Sequence, residues 1–243
     1  MLGRRAVLEA LRSDRPVSRL LVAPGANVRG VVGEILREAR ARGIVVQTVD
    51  RRRLDAMARG LVHQGVAAVV PAVAPVTVDE LLERIKDRGE PPFLMVLDGV
   101  EDPHNLGAVI RTAEAAGAHG IIVPKRRAAG LSPVVIRASA GATAHLPVAQ
   151  AGNLVAALER LKAQGVWVVG ADPAGAERYD TAALTPPIAL VVGGENRGLH
   201  RLVRERCDRV VRIPLHGRVA SLNVSVAAAL LLYEVTRHLD GKR

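Results

Sequence analysis

FLMVLDGVEDPHNLGAVIRTAEAAGAHGIIV, Phe93 to Val123, reads as one strand, helix, strand unit. Phe93–Leu97 is apolar throughout, as strands covered on both faces are. A loop bearing glycine and proline follows, and Asn105 is a candidate N-cap for a helix that Gly117 stops. Gly120–Val123 is a second apolar strand. A crossover helix between two apolar strands predicts a parallel sheet with helices on its faces.

The same rhythm continues downstream. Val166–Val169, Ile188–Val192 and Val210–Ile213 are further strand candidates, with a shorter one at His145–Val148. Ser132–Pro133 offers a cap followed by proline at the first helical position, and a long apolar helix spans Asn223 to His238. Upstream, helices around Ala6–Leu11, Val28–Arg42 and Leu54–Ala58 alternate with strands at Leu20–Ala23, Ile44–Val49 and Val66–Val70. Between the two lies PAVAPVTVDELLERIKDRGEPP, Pro71 to Pro92, with Val78, Leu81, Leu82 and Ile85 at helical spacing. The expected organisation is an α/β chain with a small domain over residues 1–72, a linker over 73–91 and a larger domain over 92–243.

Thirty of the 34 cationic residues are arginine, and the net charge is +10. Residues 1–72 hold 13 basic and 6 acidic side chains, 73–91 hold 3 and 5, and 92–243 hold 18 and 13. Arginine favours bidentate contacts to phosphate, which points to nucleic acid; an arginine-rich solvated surface would look the same. Phe93, Trp167, Tyr179 and Tyr233 are all the aromatics, too few for a base-stacking platform. A lone Cys207 makes neither a disulfide nor a zinc site, and reads most simply as a small buried hydrophobe. No apolar run approaches the ~20 residues of a membrane span and no signal peptide opens the chain, so a cytoplasmic location without a membrane partner is expected.

Ligands of open α/β sheets bind beyond the carboxyl ends of the strands. Three strand-end stretches there combine turn residues with hydrogen-bonding side chains: Leu97–Gly117, Val191–Leu199 (VVGGENRGL) and Arg212–Ala227 (RIPLHGRVASLNVSVA). Singly, each residue has a plainer reading: Asn105 as a cap, Arg111 as a surface cation, Gly193–Gly194 as a turn, Glu195 as a solvated acid, Ser221 and Asn223 as competing caps. Dinucleotide, phosphate-loop, nucleophile-elbow and metal-helix motifs are missing, which argues against an NTPase, a serine hydrolase or a protein-held metal.

The three stretches resemble the signature motifs of the SpoU (TrmH) branch of the SPOUT methyltransferases. N-x-G-x-x-x-R-T-A is met by Asn105–Ala113, G-x-E-x-x-G-L by Gly193–Leu199, and I-P-x-x-G-x-x-x-S-L-N-V-S-x-A by Ile213–Ala227. Gly3–Leu11 and HQGVAAVV (His63–Val70) are similar to the start and end of the L30e-like RNA-binding domain of the large-subunit rRNA guanosine 2′-O-methyltransferase subfamily. Leu215-His216 and Ala144 depart from the pattern without touching a residue assigned to chemistry.

The resemblance implies an α/β SPOUT domain with a deep trefoil knot, which periodicity could not have revealed. It implies S-adenosyl-L-methionine as cofactor, with Gly193, Ile213 and Leu222 as contacts, Leu215 beside them, and Gly194 and Gly198 shaping the loop. It implies catalysis by Asn105, Arg111, Glu195, Ser221 and Asn223, with Arg111 central. It further implies a homodimer formed through the larger domain and methylation of a ribose 2′-hydroxyl in RNA, foremost a guanosine of 23S rRNA. Transfer RNA as substrate, or a non-catalytic knotted protein of ribosome assembly, are the alternatives.

Overall fold

The computed structural model describes residues 1–12, 17–25, 30–58, 60, 62–70, 74–195 and 197–241. The chain divides into two compact units, Met1–Ala72 and Val73–Arg243.

The first unit runs α1 (Arg4–Arg12), β1 (Arg19–Val22), α2 (Val31–Ala41), β2 (Val45–Thr48), α3 (Arg51–Ala58) and β3 (Val66–Val69). Its sheet has the order β2-β1-β3, with β1 parallel to β2 and antiparallel to β3. Successive side chains of a strand face opposite ways. Leu20 accordingly joins Val7, Leu11 and Ile35 under α1 and α2, while Leu21 joins Val49 and Leu54 under α3. The expected helix start at Val28 lies outside the described residues, as do Pro71, Ala72 and Val73.

The ends of this unit meet, which gives the two family-like segments a structural reason. Gly3 N donates to Val66 O (3.2 Å), Arg4 N to Gln64 Oε1 (3.1 Å) and Arg4 Nε to Gln64 O (3.2 Å). Gln64 and Gly65 are both left-handed, which turns the chain into β3. His63 is buried beneath that turn. Its Nδ1 accepts from Gly65 N (3.0 Å), so Nε2 carries the proton directed at Asp55 Oδ1 (2.8 Å).

The second unit runs α4 (Val78–Arg88), β4 (Phe93–Asp98), α5 (Pro103–Ala115), β5 (Gly120–Pro124), α6 (Pro133–Ala138), β6 (Val148–Ala151), α7 (Leu154–Ala163), β7 (Trp167–Ala171), β8 (Glu177–Arg178), β9 (Ile188–Gly193), α8 (Arg201–Arg206), β10 (Arg209–Arg212) and α9 (Val224–Asp240). Seven strands form one sheet in the order β6-β5-β4-β9-β7-β10-β8, every pairing parallel. The two central strands are covered on both sides. Phe93, Met95, Leu97 and Leu190 pack toward α5 and α9, and Leu94, Val96, Ala189 and Val191 toward α4, α7 and α8. Each such fully buried large side chain contributes about 1.5–3 kcal/mol relative to exposure.

Three expectations are corrected. The linker is a working part of the second unit. Thr77 and Glu80 close a capping box on α4, its Val78, Leu81 and Ile85 are buried, and a β-carbon on Gly120 would lie 2.5 Å from Leu81 Cδ1. Asn105 is not the cap of α5. Asp102 is, accepting from His104 N (3.0 Å) ahead of Pro103, which frees Asn105 for other bonds. The strand expected at His145–Val148 is shifted to Val148–Ala151, because Ala142–Ala144 form a 3-10 turn and Pro147 has no N–H to pair.

Cys207 sits against Gly170, its Sγ 3.4 Å from Val203 O. Burial, reinforced by Asp208, pushes its thiol up to about 11. The folded protein is therefore expected to react negligibly with Ellman's reagent at pH 8, and fully once unfolded in guanidinium, since thiolate is the reactive species. Rapid labelling of the native protein would contradict this placement.

Candidate active site

The carboxyl ends of β7, β9 and β10 open onto a cleft of about 300 Å³. One wall is Ala171, Asp172 and Pro173 after β7; the floor is Gly193, Gly194, Glu195, Arg197 and Gly198 after β9; the far side is Ile213, Leu215, Ser221 and Leu222 after β10, closed by Val224 and Ala227 of α9. All six residues expected at the cofactor, Gly193, Gly194, Gly198, Ile213, Leu215 and Leu222, line this one space.

The glycines of the floor are there for room. A β-carbon on Gly193 would lie 1.9 Å from the carbonyl carbon of Gly198, and one on Gly194 would lie 2.4 Å from Gly99 O. Gly198 N donates to Gly194 O (2.9 Å) and Gly198 is left-handed, so the loop doubles back on itself. Asp98, the acid that ends the apolar strand β4, fastens both ends of that loop. Its backbone oxygen accepts from Gly194 N (2.9 Å), and its buried carboxylate accepts from His200 N (2.7 Å) and from His200 Nδ1 (2.9 Å).

At the mouth, one chain of hydrogen bonds joins the three loops. Asn105 Nδ2 donates to Glu195 Oε1, and Asn105 Oδ1 accepts from Asn223 Nδ2 (3.1 Å). Asn223 Oδ1 in turn accepts from Ser225 N (2.9 Å) and Ser225 Oγ (2.6 Å), capping α9. A buried amide is costly unless both its ends are bonded, and Asn105 is bonded at both. Three of the five expected catalytic residues are thus in direct contact. Ser221 lines the cleft with Glu195. Arg111 is not brought to it: it stands on the exposed side of α5, and among the described residues it has no hydrogen-bond or ion-pair partner.

Within the first motif, three of the residues serve packing. A β-carbon on Gly107 would meet Ala138 Cβ at 2.4 Å where α6 crosses α5; Thr112 Oγ1 bonds Ala108 O (3.0 Å); Ala113 is core. Asn105 and Arg111 are left without a packing role.

Asp98 lies inside the first of the three selected stretches but was given no role there, and the β7 wall escaped the sequence reading. Asp172-Pro173 follows an apolar strand, so the strand-end rule that selected the other loops would have found it. Arg212 holds the β7 wall in place by donating to Gly175 O (2.8 Å) and Ala176 O (2.6 Å). The cleft offers apolar sides from Ala171, Ile213, Leu215 and Leu222, a backbone floor, and two carboxylates, Glu195 and Asp172, the latter paired with Arg204 (3.6 Å).

Comparison with known proteins gives these features a context. Residues 92–233 match the model of the SpoU rRNA Methylase family, and residues 2–76 that of the RNA 2′-O ribose methyltransferase substrate binding domain. The Bacillus subtilis protein YacO, named for the TrmH family of tRNA/rRNA methyltransferases, is 46% identical over 98% of this chain and 94% of its own. Two solved structures are similar over nearly the whole chain. The SpoU methyltransferase AviRb of Streptomyces viridochromogenes, in complex with AdoMet, has a TM-score of 0.75 at 29% identity, over 99% of this chain and 90% of that one. An AdoMet-bound rRNA methyltransferase of Sinorhizobium meliloti has a TM-score of 0.75 at 30% identity, over 98% and 87%.

Proposed function

The chain belongs to the SpoU rRNA methylase family, and on that premise we propose that it methylates the ribose 2′-hydroxyl of a guanosine in 23S rRNA, using S-adenosylmethionine. The observation that carries this reading is the Glu195–Asn105–Asn223 chain at the mouth of a cleft lined by every expected cofactor residue.

The cleft fits the cofactor on its own terms. Gly193 and Gly194 leave backbone within reach of a ligand, Ile213, Leu215 and Leu222 offer apolar cover for an adenine, and Asp172 and Glu195 offer negative charge to the cationic end. Bound there, the cofactor would supply a methyl group on a sulfonium, whose carbon–sulfur bond would break as the ribose oxygen takes the methyl and the hydroxyl proton departs. The protein's share is alignment and charge. Asn105, fixed at both ends, holds Glu195 and Asn223 in register across three loops, so the ribose meets a preset mouth. Arg111, exposed on α5 and without a partner among the described residues, grips a phosphate beside the target ribose and stabilises the alkoxide as it forms. A guanidinium does not surrender its proton under ordinary conditions, so a phosphate oxygen or water accepts the hydroxyl proton. The knot that the family implies concerns the second and third motifs, which share this one cleft.

The first unit, with its excess of cations and exposed Arg51, Arg52 and Arg53, is the part we assign to rRNA recognition, in keeping with its match to the substrate-binding model. Val226, Leu230 and Tyr233 form an exposed apolar stripe on α9, which supports a homodimer through the second unit. No helix among the described residues is long and apolar enough to cross a membrane, in keeping with an enzyme working on cytoplasmic rRNA.

The test is direct. Ribosomal and transfer RNA from a strain lacking the gene are incubated with the protein and methyl-labelled S-adenosylmethionine, then digested to nucleosides. Label in 2′-O-methylguanosine from 23S rRNA is expected; label on a base, or in transfer RNA alone, overturns the assignment.

A further inference from the structure

Between Glu114 and Glu159 the chain holds no acidic residue, yet it carries Lys125, Arg126, Arg127 and Arg137. The fold collects this acid-free stretch at one edge of the larger sheet, in β5, α6 and β6. Lys125, Arg126 and Arg127 form the loop leaving the carboxyl end of β5, the end at which the cleft opens. All three are exposed, and among the described residues none of their side chains has a hydrogen-bond or ion-pair partner. The cations of α4 stand differently, on a helix that also carries Asp79, Glu80, Glu83 and Asp87 and packs on the other face of the sheet.

The loop is held in place. Lys125 N donates to Ala151 O (2.9 Å) and Ala129 N to Val100 O (2.9 Å), so it is tied on one side to β6 and on the other to the segment that leads into α5 and Asn105. Arg127 is left-handed between these anchors, a backbone that a β-carbon disfavours and that the surroundings must enforce. Three cations without a side-chain partner among the described residues, on an anchored loop, outnumber the carboxylates of Glu101 and Asp102 on the segment it is tied to and make a surface for a polyanion. Aromatic groups for stacking are missing from this stretch, and Trp167 opens β7 at the opposite end of its strand. The ligand chemistry is therefore phosphate, gripped without reading bases.

We propose that the Lys125–Arg127 loop is a second RNA contact, built into the methyltransferase unit, that takes the backbone phosphates flanking the ribose presented at the cleft. It rests on the functional reading above and adds to it that the second unit grips RNA by itself. The first unit then selects the RNA, and this loop seats the strand.

The test uses the full chain with Lys125, Arg126 and Arg127 all replaced by alanine, beside a charge-matched control, Arg84→Ala with Lys86→Ala and Arg88→Ala on α4. Fluorescence anisotropy with a labelled single-stranded RNA of about 20 nucleotides is followed across a salt series. The loop variant is expected to lose roughly tenfold in affinity at low salt, and its slope of log affinity on log salt to become shallower by about two, since each phosphate contact contributes about 0.7. Melting temperature and S-adenosylhomocysteine affinity stay as in the wild type. The control binds RNA within about threefold of wild type. An unchanged slope in the loop variant, or equal losses in both variants, overturns the proposal. Because binding is read without methyl transfer, a wild-type protein that methylates no RNA would sink the functional reading and leave this comparison intact.

Discussion

Alanine at Gly193 is expected to yield a folded protein that no longer binds S-adenosylmethionine. The added β-carbon would lie 1.9 Å from Gly198 C, 2.1 Å from Gly198 O and 2.3 Å from Leu199 N. All three are backbone atoms, so no side chain can swing aside, and the doubled-back loop must open. The strand itself has little reason to fail, because β9 is paired along its length with β4 and β7. The damage therefore falls on the floor of the cleft. Calorimetry with S-adenosylhomocysteine should show a loss of roughly a hundredfold or more, about 2.7 kcal/mol at the lower bound. A melting curve separates this from unfolding. Gly152→Ala serves as the companion variant, since a β-carbon there meets nothing within 4 Å, the φ is ordinary, and it follows β6 at the edge of the sheet away from the cleft; its affinity should be unchanged. Binding by Gly193→Ala within about threefold of wild type would remove the loop from the cofactor site.

Arg111→Ala is expected to lower kcat by about a thousandfold while S-adenosylhomocysteine affinity stays within about twofold. The two halves of that expectation come from different observations. Arg111 does not line the cleft, so cofactor binding has no reason to change. Its exposure on α5, with no partner among the described residues, makes it a cation available to the substrate. One donor aimed at developing negative charge is worth about 10²–10³ in turnover. Lysine should restore a minor part, since it keeps the charge and loses the fork that grips phosphate in two places. Wild-type turnover in Arg111→Ala would sink the mechanism, whereas loss of cofactor binding in the same variant would reassign the residue to the fold.

The central strands could be read from sequence because nothing polar interrupts them: Phe93–Leu97 and Ile188–Val192 face helices on both sides and must be apolar throughout. Elsewhere the sequence signals compete. Asp102-Pro103 and Asn105 both look like helix starts, and proline at the first helical position decides for Asp102. The Pro71–Pro92 stretch reads as a linker because acids and prolines dominate it; it is tied to the sheet by Val78, Leu81 and Ile85 on one face of α4 and by Val76, whose N–H donates to Val148 O (3.0 Å), and a partner so distant in sequence is not visible to a local pattern. β8 comprises Glu177 and Arg178, with no apolar period at all, and exists because β10 supplies its partner. At the site, three motifs locate the loops, but which side chains touch is set by tertiary placement. Asn105 and Arg111 are six residues apart on α5, about 9 Å along its axis and turned by roughly 120°, so one faces Glu195 and Asn223 and the other faces solvent.

The fastening of the Gly193–His200 loop to Asp98 also sets the mechanics of the cleft. With both ends pinned to a central strand and its middle bonded across Gly194 and Gly198, the floor is a clamped jaw. The β7 wall is braced by Arg212. The segment from Pro214 to Ser221, by contrast, forms neither helix nor strand and stands largely exposed. The side of the cleft that carries Leu215, Ser221 and Leu222 is thus the one that, among the described residues, neither helix nor strand holds, while the floor and the β7 wall are bonded in place.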